Sequence, residues 1–155
     1  MTGDLQAAEH WFKQAVSSGV DPTMKTFNAV INAAAKTGDL KAAERWFSQA
    51  GEVGFEPNMF TYTTLINAAA KAGDLAAAER WYGRAIKAKM KPNVVTFTSL
   101  IDAAAKQGNL AAARQWLDQS LKLGVRPNMY TFNALMGGAA RVADISAAED
   151  WYEQA

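Results

Sequence analysis

The chain has no cysteine and a single histidine, His10, among its 155 residues. That inventory excludes disulfides, thiolate nucleophiles, cysteine zinc sites and iron–sulfur clusters, and one histidine cannot form a histidine cluster for a metal. Proline is scarce, with four copies, and no run of about 18 apolar residues is present to cross a bilayer. The opening Met1-Thr2-Gly3-Asp4 lacks the basic and then apolar character of an export signal. Charge of one sign is not in surplus either: 16 basic side chains face 15 acidic ones, so any pull on a polyanion must come from where the cations sit. There is no glycine-rich phosphate loop, no nucleophile beside a base and no metal-ligand cluster, a pattern that argues against an enzyme and calls for no cofactor. Apolar positions, by contrast, make up 50% of the chain, enough for a folded core and too many for intrinsic disorder.

Those apolar positions repeat. Tryptophan recurs at Trp11, Trp46, Trp81, Trp116 and Trp151, and the four prolines, Pro22, Pro57, Pro92 and Pro127, take the same step of 35 residues. Gly3, Gly38, Gly73 and Gly108 each precede Asp or Asn, while Thr26, Thr61, Thr96 and Thr131 each precede Phe or Tyr. Four independent markers with one spacing make the chain a single repeat array.

Within one unit, Thr61 to Lys71 carries Tyr62, Leu65, Ile66 and Ala69 at helical spacing. Gly73 suits the left-handed position after a helix, and Asp74 can cap the next one. A second helix then runs from Leu75 to about Lys87, with Leu75, Ala78, Trp81, Tyr82 and Ala85 on one face, until Pro92 blocks continuation. Call these helices A and B. The alanine triplets Ala33 to Ala35, Ala68 to Ala70 and Ala103 to Ala105 allow close approach between neighbouring pairs. One pair cannot bury both of its apolar faces, so the expected fold is all-α, an α-solenoid of about nine helices whose A helices line a concave surface. Met24 to Asn58, Met59 to Asn93 and Val94 to Asn128 are full units, flanked by partial ones at 1–23 and 129–155. The expectation is a fragment of a longer array, with end faces open to self-association.

Units of the type Val94 to Arg114, V-V-T-F-T-S-L-I-D-A-A-A-K-Q-G-N-L-A-A-A-R, closing in V-R-P-N at Val125 to Asn128, resemble pentatricopeptide repeats (PPR). Tetratricopeptide repeats step by 34 residues and place a glycine inside helix A, where this chain has Ile31, Ile66, Ile101 and Met136. The resemblance implies a right-handed superhelix that binds single-stranded RNA along the concave face, one nucleotide per repeat. It implies a role in RNA processing, stability or translation, and a mitochondrial or plastid location, although no targeting segment is present in this chain.

By the same resemblance, the base-choosing residues are Asn28 with Asn58, Thr63 with Asn93, and Thr98 with Asn128, read as pyrimidine, adenine, adenine. Asn133 opens a fourth, pyrimidine-like site that lacks its partner. The wedges between bases are Phe60, Val95 and Tyr130; Lys25, at the same position, would reach phosphate. Lys36, Lys71, Lys106 and Arg141 recur near the end of each helix A as a stripe of phosphate contacts.

Each of these positions also has a plain structural reading. Asparagine after proline is a helix cap, a cation near a helix C-terminus is favourable by about 0.3 to 1 kcal/mol without any ligand, and the tryptophans, with Phe12, Phe47, Tyr82, Leu117 and Tyr152, read as core between repeats. His10 takes a position filled elsewhere by Arg45, Arg80, Gln115 and Asp150, as a surface site would. The run Lys87-Ala88-Lys89-Met90-Lys91 offers itself for phosphate contacts, but it lies where helix B ends and replaces the glycine seen at Gly19, Gly54 and Gly124, so it reads as a solvated turn. The rival to RNA binding is a protein-binding scaffold, since solenoid grooves also hold peptides and the charge is balanced. Membrane binding is not expected.

Overall fold

Glycine, proline and short polar side chains punctuate residues 3–154, the part of the chain that the computed structural model describes, into nine α-helices. They are α1 (Gly3–Ser17), α2 (Met24–Thr37), α3 (Leu40–Glu52), α4 (Met59–Lys71), α5 (Leu75–Lys87), α6 (Val94–Lys106), α7 (Leu110–Lys122), α8 (Met129–Arg141) and α9 (Ile145–Gln154). No strand occurs among the described residues. The even-numbered helices are the A helices and the odd-numbered ones the B helices.

Every A helix for which a cap is described begins with the same device. Thr23, Asn58, Asn93 and Asn128 accept the backbone N–H of Thr26, Thr61, Thr96 and Thr131, whose hydroxyls accept the cap N–H in return. Two of the free donors at each helix start are thereby satisfied. The cap at Asn58 starts α4 at Met59, two residues before the Thr-aromatic pair that marks it in the sequence. The B helices start on Asp39, Asp74, Asn109 and Asp144, whose carboxylate or amide oxygens lie 2.8–3.0 Å from the N–H three residues on.

The helices end in left-handed turns. The N–H groups of Asp39, Asp74, Asn109 and Asp144 reach back to the carbonyls of Ala34, Ala69, Ala104 and Ala139 at 2.9–3.0 Å, the long-reach bond of a Schellman ending. Such endings need a positive φ, supplied by glycine at six turns and by Lys89 (φ 58°) and Ala143 (φ 56°) at two others.

The A helices α2, α4, α6 and α8 pack backbone to backbone in an unbroken row, whereas no two B helices approach each other as closely. A row with the shorter spacing lies on the inside of a curved array, which places the A helices on the concave side. Small residues make the close row possible: Ala34, Ala69, Ala70, Ala103 and Ala104 are buried, and a Cβ on Gly138 would sit 2.8 Å from that of Ala105.

Along the B row, long side chains bridge the wider gap, and they do so with a direction. Phe12, Phe47 and Tyr82 reach forward to Trp46, Trp81 and Trp116, with ring centroids 4.7, 4.8 and 4.9 Å apart in edge-on pairs. Each of these tryptophans reaches backward, its indole N–H donating to Glu9, Glu44 or Glu79 on the preceding B helix at 2.9, 2.9 and 3.3 Å. The direction corrects the expectation that all five tryptophans are core. Trp151 is 3% exposed, but Trp11, with no described helix before it, is 66% exposed. Tyr152, at the forward-reaching position with no described helix after it, is 75% exposed for the complementary reason.

A left-handed φ costs a residue with a Cβ about 1–2 kcal/mol, which glycine avoids. Ala143→Gly and Lys89→Gly should therefore each raise the free energy of unfolding by about 1 kcal/mol, measured by urea denaturation.

Candidate nucleic-acid interface

The first turn of each A helix assigns a fixed task to each residue. After the cap comes a half-buried residue (Met24, Met59, Val94) or its exposed counterpart Met129, and next a solvent-facing one, Lys25, Phe60, Val95 or Tyr130. The cap-box threonine follows, then a core aromatic, Phe27, Tyr62, Phe97 or Phe132. The residue after the aromatic is Asn28, Thr63 or Thr98, half-buried, or the exposed Asn133. Large apolar groups at Phe60, Val95 and Tyr130 are thus held in water by the register of an amphipathic helix whose other faces are buried, and they stand in a row along the concave side.

The residues expected to act as pairs are joined, through the threonine that marks the start of each A helix in the sequence. The Thr61 hydroxyl lies 2.8 Å from Oδ1 of Asn28 and 3.1 Å from Oδ1 of Asn58. Thr96 stands 3.1 Å from the Thr63 hydroxyl and 3.1 Å from Asn93. Thr131 stands 2.7 Å from Thr98 and 3.2 Å from Asn128. Each link crosses from one A helix to the cap of the next. Thr61, Thr96 and Thr131 are themselves fully buried, so their hydroxyls must bond within the protein. The cap asparagines spend Oδ1 on the helix start and have no partner for Nδ2 among the described residues, which leaves a free donor on an exposed side chain. The carbonyl end of these asparagines caps the helix, and the amide end stays unbonded among the described residues. For Asn133 no such link is described.

Between α6 and α8 the groove deepens into a cleft of about 470 Å³. Its walls bring together Val95 and Tyr130 with Thr98, Asn128 and Asn133, all singled out from the sequence, and add Asn67 and Asp102. This is a space lined by two large apolar groups together with several hydrogen-bonding ones, a combination that can hold a flat heterocycle by stacking and edge contacts.

The cationic stripe is uneven. Lys36, Lys71 and Arg141 are exposed and enter neither of the two ion pairs found among the described residues. Lys106 is engaged: its Nζ lies 2.7 Å from Asp102 Oδ2 and 3.0 Å from the carbonyl oxygen of Ala70. Spacing of i, i+4 between Asp102 and Lys106 was the signal that could have shown this. Lys25 is exposed at the head of α2.

The PPR repeat family matches residues 22–71, 59–106 and 92–141. The solved structure of the pentatricopeptide repeat protein PPR10 in complex with an 18-nt psaJ RNA element superposes on 93% of this chain with a TM-score of 0.86 at 27% identity. A further solved structure of PPR10, from maize, gives 0.80 over 92%. The chain spans about a fifth of PPR10, 21% and 20% in the two structures. The PPR domain of Arabidopsis thaliana protein-only RNase P 1, in complex with tRNA, matches 99% of the chain and 81% of its own length with a TM-score of 0.77; at 15% identity this is likeness of fold. No curated protein sequence matches the chain.

The bridging hydroxyls can be tested by stability alone. Thr96→Val keeps the shape and removes the link to Thr63 and Asn93, and should cost about 1–2 kcal/mol in urea denaturation.

Proposed function

The chain belongs to the pentatricopeptide repeat family, and from that premise we propose that it binds single-stranded RNA with base selectivity, one nucleotide per repeat. The pairs Asn28 with Asn58, Thr63 with Asn93, Thr98 with Asn128, and the unpaired Asn133, read pyrimidine-adenine-adenine-pyrimidine. The observation that carries this reading is the joining of each pair through Thr61, Thr96 or Thr131. A reader needs its donors and acceptors fixed before the base arrives, and these bonds fix them.

The chemistry follows from the free atoms. Adenine offers a ring acceptor and an exocyclic amine on its pairing edge. The free Nδ2 of Asn93 or Asn128 donates to the first, and the hydroxyl of Thr63 or Thr98, which can donate to Thr96 or Thr131 and keep its lone pairs for the base, accepts from the second. Guanine presents an N–H where adenine has its acceptor, so it meets Nδ2 donor to donor. Where both residues are amides, as at Asn28 and Asn58, the groove offers donors suited to the ring-edge acceptors of a pyrimidine. Phe60 and Tyr130 stack on the base faces, each worth about 1–3 kcal/mol, and the branched Val95 packs against a base face without a ring; after association costs, three complete sites give a weak binder. The act is occupancy: covering a transcript segment or exposing another, with consequences for RNA processing, stability or translation. Mitochondrion or plastid is the compartment the family membership supports.

Fluorescence anisotropy with pyrimidine-A-A-pyrimidine RNA, against the same RNA with both adenines replaced by guanine, tests the reading. The wild-type chain should prefer adenine, and Thr63→Asn with Thr98→Asn should move the preference to pyrimidine at those two positions. Indifference to the bases in both proteins would favour a protein-binding scaffold instead.

The stripe adds a separate expectation. Three free cations, Lys36, Lys71 and Arg141, give a slope of log K on log salt near −2, at about 0.7 per single-strand contact. Asp102→Asn, the residue found at the equivalent Asn32 and Asn67, frees Lys106 and should steepen the slope by about 0.7, whereas Lys106→Gln in the native background should leave it nearly unchanged.

A further inference from the structure

The loops that lead from each B helix into the next A helix lie along one edge of the array, because each ends at an A-helix cap. Their charges are ordered. The residue before each proline reads Asp21, Glu56, Lys91, Arg126, and the B helices α3, α5 and α7 end on Glu52, Lys87 and Lys122. With Lys89, the edge carries three acids over its first two loops and five cations over its last two, all of them exposed. None enters either ion pair of the described residues. The nearest acid on α7 is Asp118, one turn before Lys122, and it is exposed and unpaired in the same sense. The near-zero net charge of the chain hides this division.

Lys89 adds an independent sign. It holds a left-handed φ of 58° where Gly19, Gly54 and Gly124 serve the sister loops. A residue kept in a conformation that glycine would adopt more easily points to a use for its side chain. Here the side chain is the middle cation of a Lys-x-Lys-x-Lys run and enters no ion pair among the described residues.

We propose that Lys87, Lys89, Lys91, Lys122 and Arg126 form a second phosphate-binding surface, which holds the backbone of the RNA strand where it leaves the reading groove. The proposal rests on the RNA reading above. Position favours that occupant: Lys91 and Arg126 stand two residues before Asn93 and Asn128, so the basic edge is continuous with the groove. The acids Asp21, Glu52 and Glu56 repel a polyanion from the first half of the same edge, so flanking RNA is held over the second half only. This surface carries no base information; it raises affinity and sets where the strand leaves the groove.

The test compares a four-nucleotide pyrimidine-A-A-pyrimidine RNA with the same core flanked by uridine tracts, by anisotropy over a salt series with the whole chain. Flanks should tighten binding to the native protein and steepen its salt slope. Lys87→Gln with Lys89→Gln and Lys91→Gln should cut the slope for the flanked RNA by about 2, at about 0.7 per contact, and leave the bare core unaffected. Lys89→Gly alone should stabilise the fold yet weaken flanked binding, a combination that a merely structural turn residue would not show, and Glu52→Gln with Glu56→Gln should strengthen it.

If the triple variant binds flanked RNA as the native chain does, while Thr63→Asn and Thr98→Asn still shift the base preference, the edge is overturned and the reading stands. If the edge variants act but base identity never matters, the reading fails and the surface survives as a general RNA contact. Capture by phosphatidylserine vesicles with no gain from RNA flanks would overturn the proposal in favour of a membrane.

Discussion

Three buried hydroxyls, those of Thr61, Thr96 and Thr131, tie the starts of α4, α6 and α8 to the groove-facing residue of the A helix before each. Their position is forced from two directions. The cap needs a short polar residue at its third helical position to close on Asn58, Asn93 or Asn128, and the close row of A helices pushes that residue out of reach of water. Once buried, the hydroxyl must find partners within the protein, and the available ones are the two side chains that border the groove. Helix initiation, contact between repeats and the orientation of the groove side chains are thus one network.

Much of this architecture is legible in the sequence, because the signals are local. Glycine before Asp39, Asp74 and Asn109, and proline before Asn58, Asn93 and Asn128, place the helix ends to within a residue or two. What is not legible depends on distance through space. Period and face identify an aromatic pair such as Trp81 and Tyr82 as buried, but they do not say that one ring reaches back and the other forward. Trp11 was accordingly expected in the core and stands in solvent. The bond from Asn28 to Thr61 spans 33 positions and depends on how far one helix slides along the next.

The cationic stripe shows how strict periodicity can mislead. Lys36, Lys71, Lys106 and Arg141 occupy one position in four repeats, and the repeat predicts four equal contacts. Their neighbours one turn earlier are Asn32, Asn67, Asp102 and Gly137, and that single carboxylate draws Lys106 into a bond with its own helix and with the Ala70 carbonyl. The information lay in the departures from the repeat. A residue that breaks the pattern, as Asp102, Lys89 and Ala143 do, marks a place where neighbouring units differ in charge or in backbone strain.

The direction of the aromatic contacts has a consequence for length. A tryptophan that looks back and a phenylalanine or tyrosine that looks forward make each joint from α1 to α7 a plug and a socket, with the plug always on the same side. Units can therefore be duplicated or deleted in whole steps of the repeat without designing a new surface, since each copy presents its neighbours with the two faces they already fit. A unit set in backwards would meet plug with plug. In such a chain the number of steps can change by simple duplication, while the order in which they are traversed cannot.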